Sequence, residues 1–240
     1  MYAVLSDVHS NLEALESVLR DIKKRGIREV LFLGDAVGYG PDPDRCMKLL
    51  KEECKILVAG NHDWGVCGLT DIDHFNENAR SVIMWTKTVM QSENLNVLGA
   101  SPLRVDLREK GITLVHSTPW EPEQWHYLLY LADAELNFQH FDTEICFIGH
   151  SHSPVIIERH LLGRLTSNKE GMNMSSGRKY IVNVGSVGQP RDGDPRACYA
   201  LVDGEKVKFV RVPYRFEITR QKMTRAGLPS FLIERLGSGI

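Results

Sequence analysis

No C-x-x-C pair occurs among the five cysteines, Cys46, Cys54, Cys67, Cys146 and Cys198, and their number is odd. A disulfide framework and a zinc knuckle are therefore not indicated, and packed core thiols are the expected use. Cys67 follows Asn61 and His62 closely, but nothing near it in sequence activates a thiol. The chain also lacks a basic segment followed by a long apolar stretch at its start, and no apolar run approaches a membrane span. A reducing cytoplasm is the expected compartment. Charge of one sign is scarce: 29 Lys and Arg against 31 Asp and Glu leave a formal net charge of −2. A nucleic acid is thus not expected as an obligate partner, and no basic aromatic groove supports a nuclease. A small phosphorylated ligand stays open, because metal ions can supply local positive charge. Internal repeats and low-complexity linkers are absent as well.

What the chain does have is a repeated local form. An apolar run ends in metal-type ligands five times: Ala3-Val4-Leu5 before Asp7 and His9, 30–33 before Asp35, 56–58 before Asn61 and His62, 112–115 before His116, and 145–148 before His150 and His152. Each reads as a buried strand that delivers polar side chains at its carboxyl end, and five such ends can converge in an α/β sheet. Asp, Asn and His together suit two hard-to-borderline divalent ions. The ligands run from Asp7 to His152, which argues for one domain over 1–240. An apolar fraction of 42% is enough for its core.

Between these runs, Asn11 to Ile22 has helical spacing and stops at Gly26. With strand 29–33 it completes a β-α-β unit, and a turn at 38–43, a helix to about Glu53 and strand 55–59 make a second. Residues 73–92 predict a longer helix, and 103–108 with 112–115 a hairpin about Lys110-Gly111. The segment 119–141 is aromatic and partly helical by its pattern. Strands are expected near 144–148, 154–160, 179–184, 197–202 and 206–212. Helical pieces broken at Gly227-Leu228-Pro229 form a C-terminal extension from about 214. The polar stretch from Gly163 to Lys179 is expected to be a mobile loop.

D-x-H and G-D are each weak signals, and G-N-H-D and G-H-S-H are stronger. Their combined order is highly specific. The chain resembles the calcineurin-like metallophosphoesterase superfamily, whose motif order it reproduces from residue 7 to 152. The stretches Gly34 to Pro43 and Asn183 to Arg191 resemble a compact prokaryotic branch of YfcE-like and diadenosine-tetraphosphatase-like proteins.

The resemblance implies a four-layer αββα sandwich of two mixed sheets flanked by helices. It implies that Asp7, His9 and His152 hold one metal, that Asn61, His116 and His150 hold a second, and that Asp35 bridges them. A bridging carboxylate keeps two cations about 3.5–4 Å apart, and a water they share becomes the attacking hydroxide. The ions admitted by an N/O set without thiolate are Mn, Fe, Ni, Co or Zn, with Mn favoured. His62 is implied to be the general acid or hydrogen-bond donor at the leaving oxygen. Asp63 either orients His62 or caps the next turn. Asn11 either contacts phosphate or caps the helix it begins. Gly38, Tyr39 and Gly40 stand where protein phosphatases carry a further Asp and a phosphate-binding Arg, which weakens the phosphoprotein-phosphatase reading. Arg191 is the candidate replacement cation.

The expected activity is a metal-dependent phosphoesterase on small phosphate esters or nucleotides, phosphodiesters first and monoesters second. A dinucleoside-polyphosphate hydrolase is the alternative within enzymes, and a non-catalytic metal-binding scaffold the alternative outside them. Trp120, Trp125, Tyr127 and Tyr130 are read either as a base-stacking wall or as packing.

Overall fold

The computed structural model describes every residue from Met1 to Ile240. Its first third alternates strand and helix: β1 Tyr2–Leu5, α1 Leu12–Lys24, β2 Val30–Phe32, α2 Pro43–Glu53 and β3 Ile56–Leu57. Helices α3 Asn61–Cys67, α4 Glu77–Val89 and α5 Ser92–Ala100 follow, then β4 Arg104–Leu107 and β5 Ile112–Val115. Helix α6 Leu131–Asn137 leads to β6 Ile145–Ile148, β7 Val155–Arg159, β8 Leu165–Asn168 and β9 Gly171–Asn173. The chain ends with β10 Lys179–Asn183, β11 Ala197–Asp203, β12 Lys206–Val212, α7 Phe216–Arg225 and α8 Ser230–Arg235.

The strands form two mixed six-stranded sheets, ordered β3-β2-β1-β11-β12-β9 and β4-β5-β6-β10-β7-β8. In the first, β1, β2 and β3 are parallel, and in the second β5, β6 and β10 are. Alternation along β1 explains the layering. Ala3 and Leu5 face α1 and α2, where they meet Leu15, Val18, Met47 and Leu50. Val4 faces the other sheet with Leu31, Leu114, Phe147 and Val182. The outer face of the second sheet is covered by α6, through Ala134 and Phe138 against Cys146, Ile148 and Ile181. Each large apolar side chain sealed in these layers contributes about 1.5–3 kcal/mol. Exposed ion pairs such as Lys23–Glu53 contribute about 0–1 kcal/mol, so burial holds the layers together.

The C-terminal helices brace the loops that follow β1 and β2. Lys222 donates to Glu13 and to Asp42 at 2.7 Å, and Met223, Leu228, Leu232 and Leu236 pack with Tyr39. No helix is long and apolar enough to cross a membrane.

Two expectations need correction. The stretch from Gly163 to Lys179 is not a loop throughout: β8 pairs with β7 on one sheet edge and β9 with β12 on the other. Both are edge strands with no buried face, so they carry no apolar alternation to read. The helix expected over 73–92 is α4 alone, and α5 follows with only Asn94 and Leu98 buried, too sparse a stripe to detect. All five cysteines are free, and only Cys67 is not buried.

Candidate metal centre

The carboxyl ends of β1, β2, β3, β5 and β6 deliver their polar residues to one place. The turns that do this are tight. Asp7, His9, Asp35, His150 and His152 all have φ between 49° and 64°, the left-handed region that L-residues rarely enter. Such conformations cost on the order of 1–3 kcal/mol each and persist only where neighbours over-determine them. Here backbone bonds from Asp7 to Gly34, from His9 to Asp35 and from Gly40 to His9 do so. Gly60 lies directly against the Asp35 carboxylate, and any side chain there would collide with it.

The histidine rings are fixed by backbone carbonyls. Nδ1 of His9 donates to Val37 at 3.0 Å, Nδ1 of His116 to Leu33 at 2.9 Å and Nδ1 of His152 to Gln189 at 2.6 Å. His150 instead uses Nε2, to Trp125 at 3.0 Å. In its neutral form each ring is thereby left with one bare lone pair, the arrangement of metal-binding imidazoles. The Nε2 atoms of His9 and His152 are 3.1 Å apart. With both Nδ1 atoms carrying the proton, two lone pairs face each other, which is repulsive without a cation between them. Asp7 Oδ1 lies 3.2 Å from His152 Nε2 and is buried with no hydrogen-bond partner. His116 Nε2 lies 3.3 Å from Asp35 Oδ2 and 3.2 Å from Asn61 Oδ1. Ligand atoms of Asp7, His9 and His152 lie within 4.8 Å of one another, as do those of Asp35, His116 and His150. A third such group is His9, Asp35 and His62. These buried Asp and His clusters are consistent with a dinuclear site for divalent ions.

Burial drives His150 down to about 3 and His152 down to about 4, so both stay neutral as ligands must. Burial opposes charge on His116 too, but Asp35 and Asp7 outweigh it and raise His116 to about 9. His152, His9 and His116 outweigh burial at Asp7 and hold it well below the usual carboxylate range. Together these shifts predict for the metal-free chain a stability maximum near neutrality, opposed in part by Asp63, whose raised value removes stability as pH rises toward about 7. His150 and His152 have depressed folded pKa values, so their neutral forms cost stability as pH falls from about 6.5 toward about 3. His116 has a raised value, so its contribution is complete below about 6.5 and is lost as pH rises through about 9. Thermal melts of metal-free protein should show Tm falling on both sides. A Tm that rises steadily from pH 5 to pH 9 would contradict these environments.

Asp63 and Asn11 both take the capping alternative. Asp63 does not orient His62. Its carboxylate accepts from the backbone N–H of Asp35 at 2.9 Å, Gly60 at 3.0 Å and Val37 at 3.2 Å, which caps α3 and braces the Asp35 turn. Burial, then the charge of Asp35, pushes it up to about 7. Asn11 has no group free for phosphate. Its Nδ2 donates to Gly188 and to Tyr214, and its Oδ1 accepts from Ala14 and Thr219.

His62 itself stands with Tyr39 at 4.5 Å, His9 at 4.8 Å and Phe75 at 5.2 Å between ring centroids. Its Nδ1 is buried with no partner, and Gly38 lies against that atom at φ 94°, where a side chain would collide. The Arg191 guanidinium lies 5.6 Å over the Tyr39 ring and donates to Gln189 at 2.8 Å, while its Nε has no partner. Among the aromatics, Tyr127 stacks on His150 at 4.0 Å and Trp125 packs on Trp64 at 5.6 Å, whereas Trp120 stacks on His126 at 4.6 Å. Tyr130 is exposed.

Sequence reasoning missed Asn183, whose Nδ2 donates to Gly149 at 2.6 Å and Ser151 at 2.9 Å and so steadies the turn holding His150 and His152. The signal was present, because β10 is a sixth apolar run ending in a polar residue. Tyr39 was missed as a wall of the site, and its place among glycines gave no sign of it.

A model of the calcineurin-like phosphoesterase superfamily domain matches residues 1–206. An uncharacterized protein of Methanocaldococcus jannaschii is 41% identical over 245 residues, covering 100% of this chain and 98% of its own length. The crystal structure of a metallophosphoesterase from Sphaerobacter thermophilus is 42% identical with a TM-score of 0.86, covering 100% of this chain and 98% of that one. The phosphodiesterase YfcE of Escherichia coli is 22% identical over 85% of this chain and 88% of its own length. The sheet order, the ligand geometry and these matches together place the chain in the calcineurin-like phosphoesterase superfamily, in its group of small YfcE-like metallophosphoesterases.

Proposed function

We propose that this chain is a dinuclear-metal-dependent phosphoesterase acting on small phosphate esters or nucleotides, with phosphodiesters preferred and monoesters a secondary class. The observation that carries the reading is the pair of facing lone pairs on His9 and His152 beside the orphan oxygen of Asp7. Asp7, His9 and His152 would hold one ion, Asn61, His116 and His150 the other, and Asp35 both. Two divalent ions in such a set supply Lewis acidity toward a phosphoryl oxygen and lower the pKa of nearby water. Manganese is the favoured ion, since the set is rich in oxygen and imidazole and has no thiolate.

The remaining roles fall to this chain's own side chains. Burial holds the His62 ring well below its usual pKa, although Asp35 opposes this. A neutral ring donates one N–H, which suits it to hydrogen-bond a leaving oxygen as charge develops there. Arg191 has unpaired donors and no carboxylate partner, so its fork is available to a non-bridging phosphate oxygen. Neither role needs a protein substrate.

The test is direct. Chain reconstituted with Mn²⁺ should hydrolyse bis-p-nitrophenyl phosphate, and EDTA should abolish this. Arg191→Ala should raise KM about tenfold with metal content unchanged. No turnover with any divalent metal would remove the enzyme reading, and an unaltered KM would remove the role of Arg191.

A further inference from the structure

We propose that the cleft beside His62 is the leaving-group subsite, shaped for an uncharged nucleoside and set against a leaving group that carries its own phosphate. This deepens the phosphoesterase reading and rests on it. The cleft holds about 660 Å³, within the range of small-molecule sites. Asn61, His62 and His150 line it, so it opens from the centre on the side of the candidate donor.

Its walls offer two aromatic surfaces. Phe75 meets the His62 ring edge-on at 5.2 Å, and Tyr127, 51% exposed, stacks on His150. Every nucleobase has a π-face, and such rings accept it without regard to sequence. Polar capacity is present too: Gln124 lines the cleft and its side-chain amide bonds to no other residue. The charge is what selects. Asp71 and Glu123 line the cleft, and no lysine or arginine does. Arg191 is not part of this lining; it lies over the ring of Tyr39, at the end of the cleft next to His9 and His62. A nucleoside meets no penalty here, whereas the further phosphates of a nucleotide or polyphosphate leaving group, reaching past the metal centre into the cleft, face two carboxylates with no lysine or arginine in the lining.

In the reaction a water oxygen bonds to phosphorus and the bond from phosphorus to the nucleoside oxygen breaks. That oxygen, held by a hydrogen bond from the His62 N–H, takes up the proton that the attacking water gives up. The preferred substrates are therefore nucleoside phosphodiesters, with dinucleoside polyphosphates disfavoured.

The experiment compares three substrates on the full chain loaded with Mn²⁺: a dinucleoside monophosphate, diadenosine tetraphosphate and bis-p-nitrophenyl phosphate. The dinucleoside monophosphate should exceed diadenosine tetraphosphate in kcat/KM by about tenfold or more. The double variant Asp71→Lys, Glu123→Lys should narrow that ratio by about fivefold or more. Equal or inverted preference, or hydrolysis of bis-p-nitrophenyl phosphate alone, overturns the subsite and leaves the phosphoesterase reading standing. A binding measurement is independent of turnover. Adenosine titrated into metal-free chain should quench tryptophan fluorescence saturably, and Phe75→Ala should weaken it about tenfold. Absence of saturable quenching overturns the subsite even if no substrate is hydrolysed.

Discussion

Replacing His62 with asparagine is expected to lower kcat on bis-p-nitrophenyl phosphate by about 10²–10³-fold while the protein keeps its full metal content. The substitution is mild for the fold. The backbone N–H of residue 62 holds Asp35 Oδ1 at 2.9 Å, and that bond survives any side-chain change except proline. The Nδ1 atom has no partner in the protein, so its loss orphans nothing. What is lost is a donor beside the cleft. The competing possibility is specific: ligand atoms of His62, His9 and Asp35 lie within 4.8 Å of one another. A variant that loses a metal ion would show that His62 is a ligand and not a donor. Metal content and kcat, measured on the same preparation, separate the two.

Asp35→Asn should have the larger effect, reducing turnover by more than about 10³-fold, because neighbours of ligands alone are typically worth 10–100-fold. Asp35 belongs to two of the three groupings, one with His9 and His62 and one with His116 and His150. Its Oδ2 faces His116 at 3.3 Å and His9 at 3.6 Å, and its Oδ1 accepts from His62. The amide keeps the shape but removes the charge and replaces one oxygen with a donor. Both ions should bind more weakly, whereas Asp7→Asn should weaken one. If Asp35→Asn retained two ions and most of its activity, the shared-carboxylate assignment would fail.

The strand-end ligands were legible because two independent signals coincided, an apolar run and a short polar spacing after it. Asp7, His9, Asp35, His116, His150 and His152 come together in the fold as that pattern anticipated. The polar neighbours were harder. Asn11 and Asp63 carry side chains that serve a cap or a substrate equally well, and only the geometry shows their groups occupied by backbone and neighbouring residues. The carbonyls that fix the histidine rings come from Val37, Leu33, Gln189 and Trp125. Any residue can supply a carbonyl, so no sequence pattern marks them. Edge strands β8 and β9 were illegible for a related reason, since pairing there runs through the backbone and buries no side-chain face.

The central claim is a cage for two ions built from Asp7, His9, Asp35, Asn61, His116, His150 and His152. Calorimetric titration of Mn²⁺ into metal-free chain tests it most directly. The expected result is two equivalents per chain with proton release near neutral pH, because His116 is raised to about 9 and must give up its proton to bind. Saturation at one equivalent, or binding without proton release, would contradict the account.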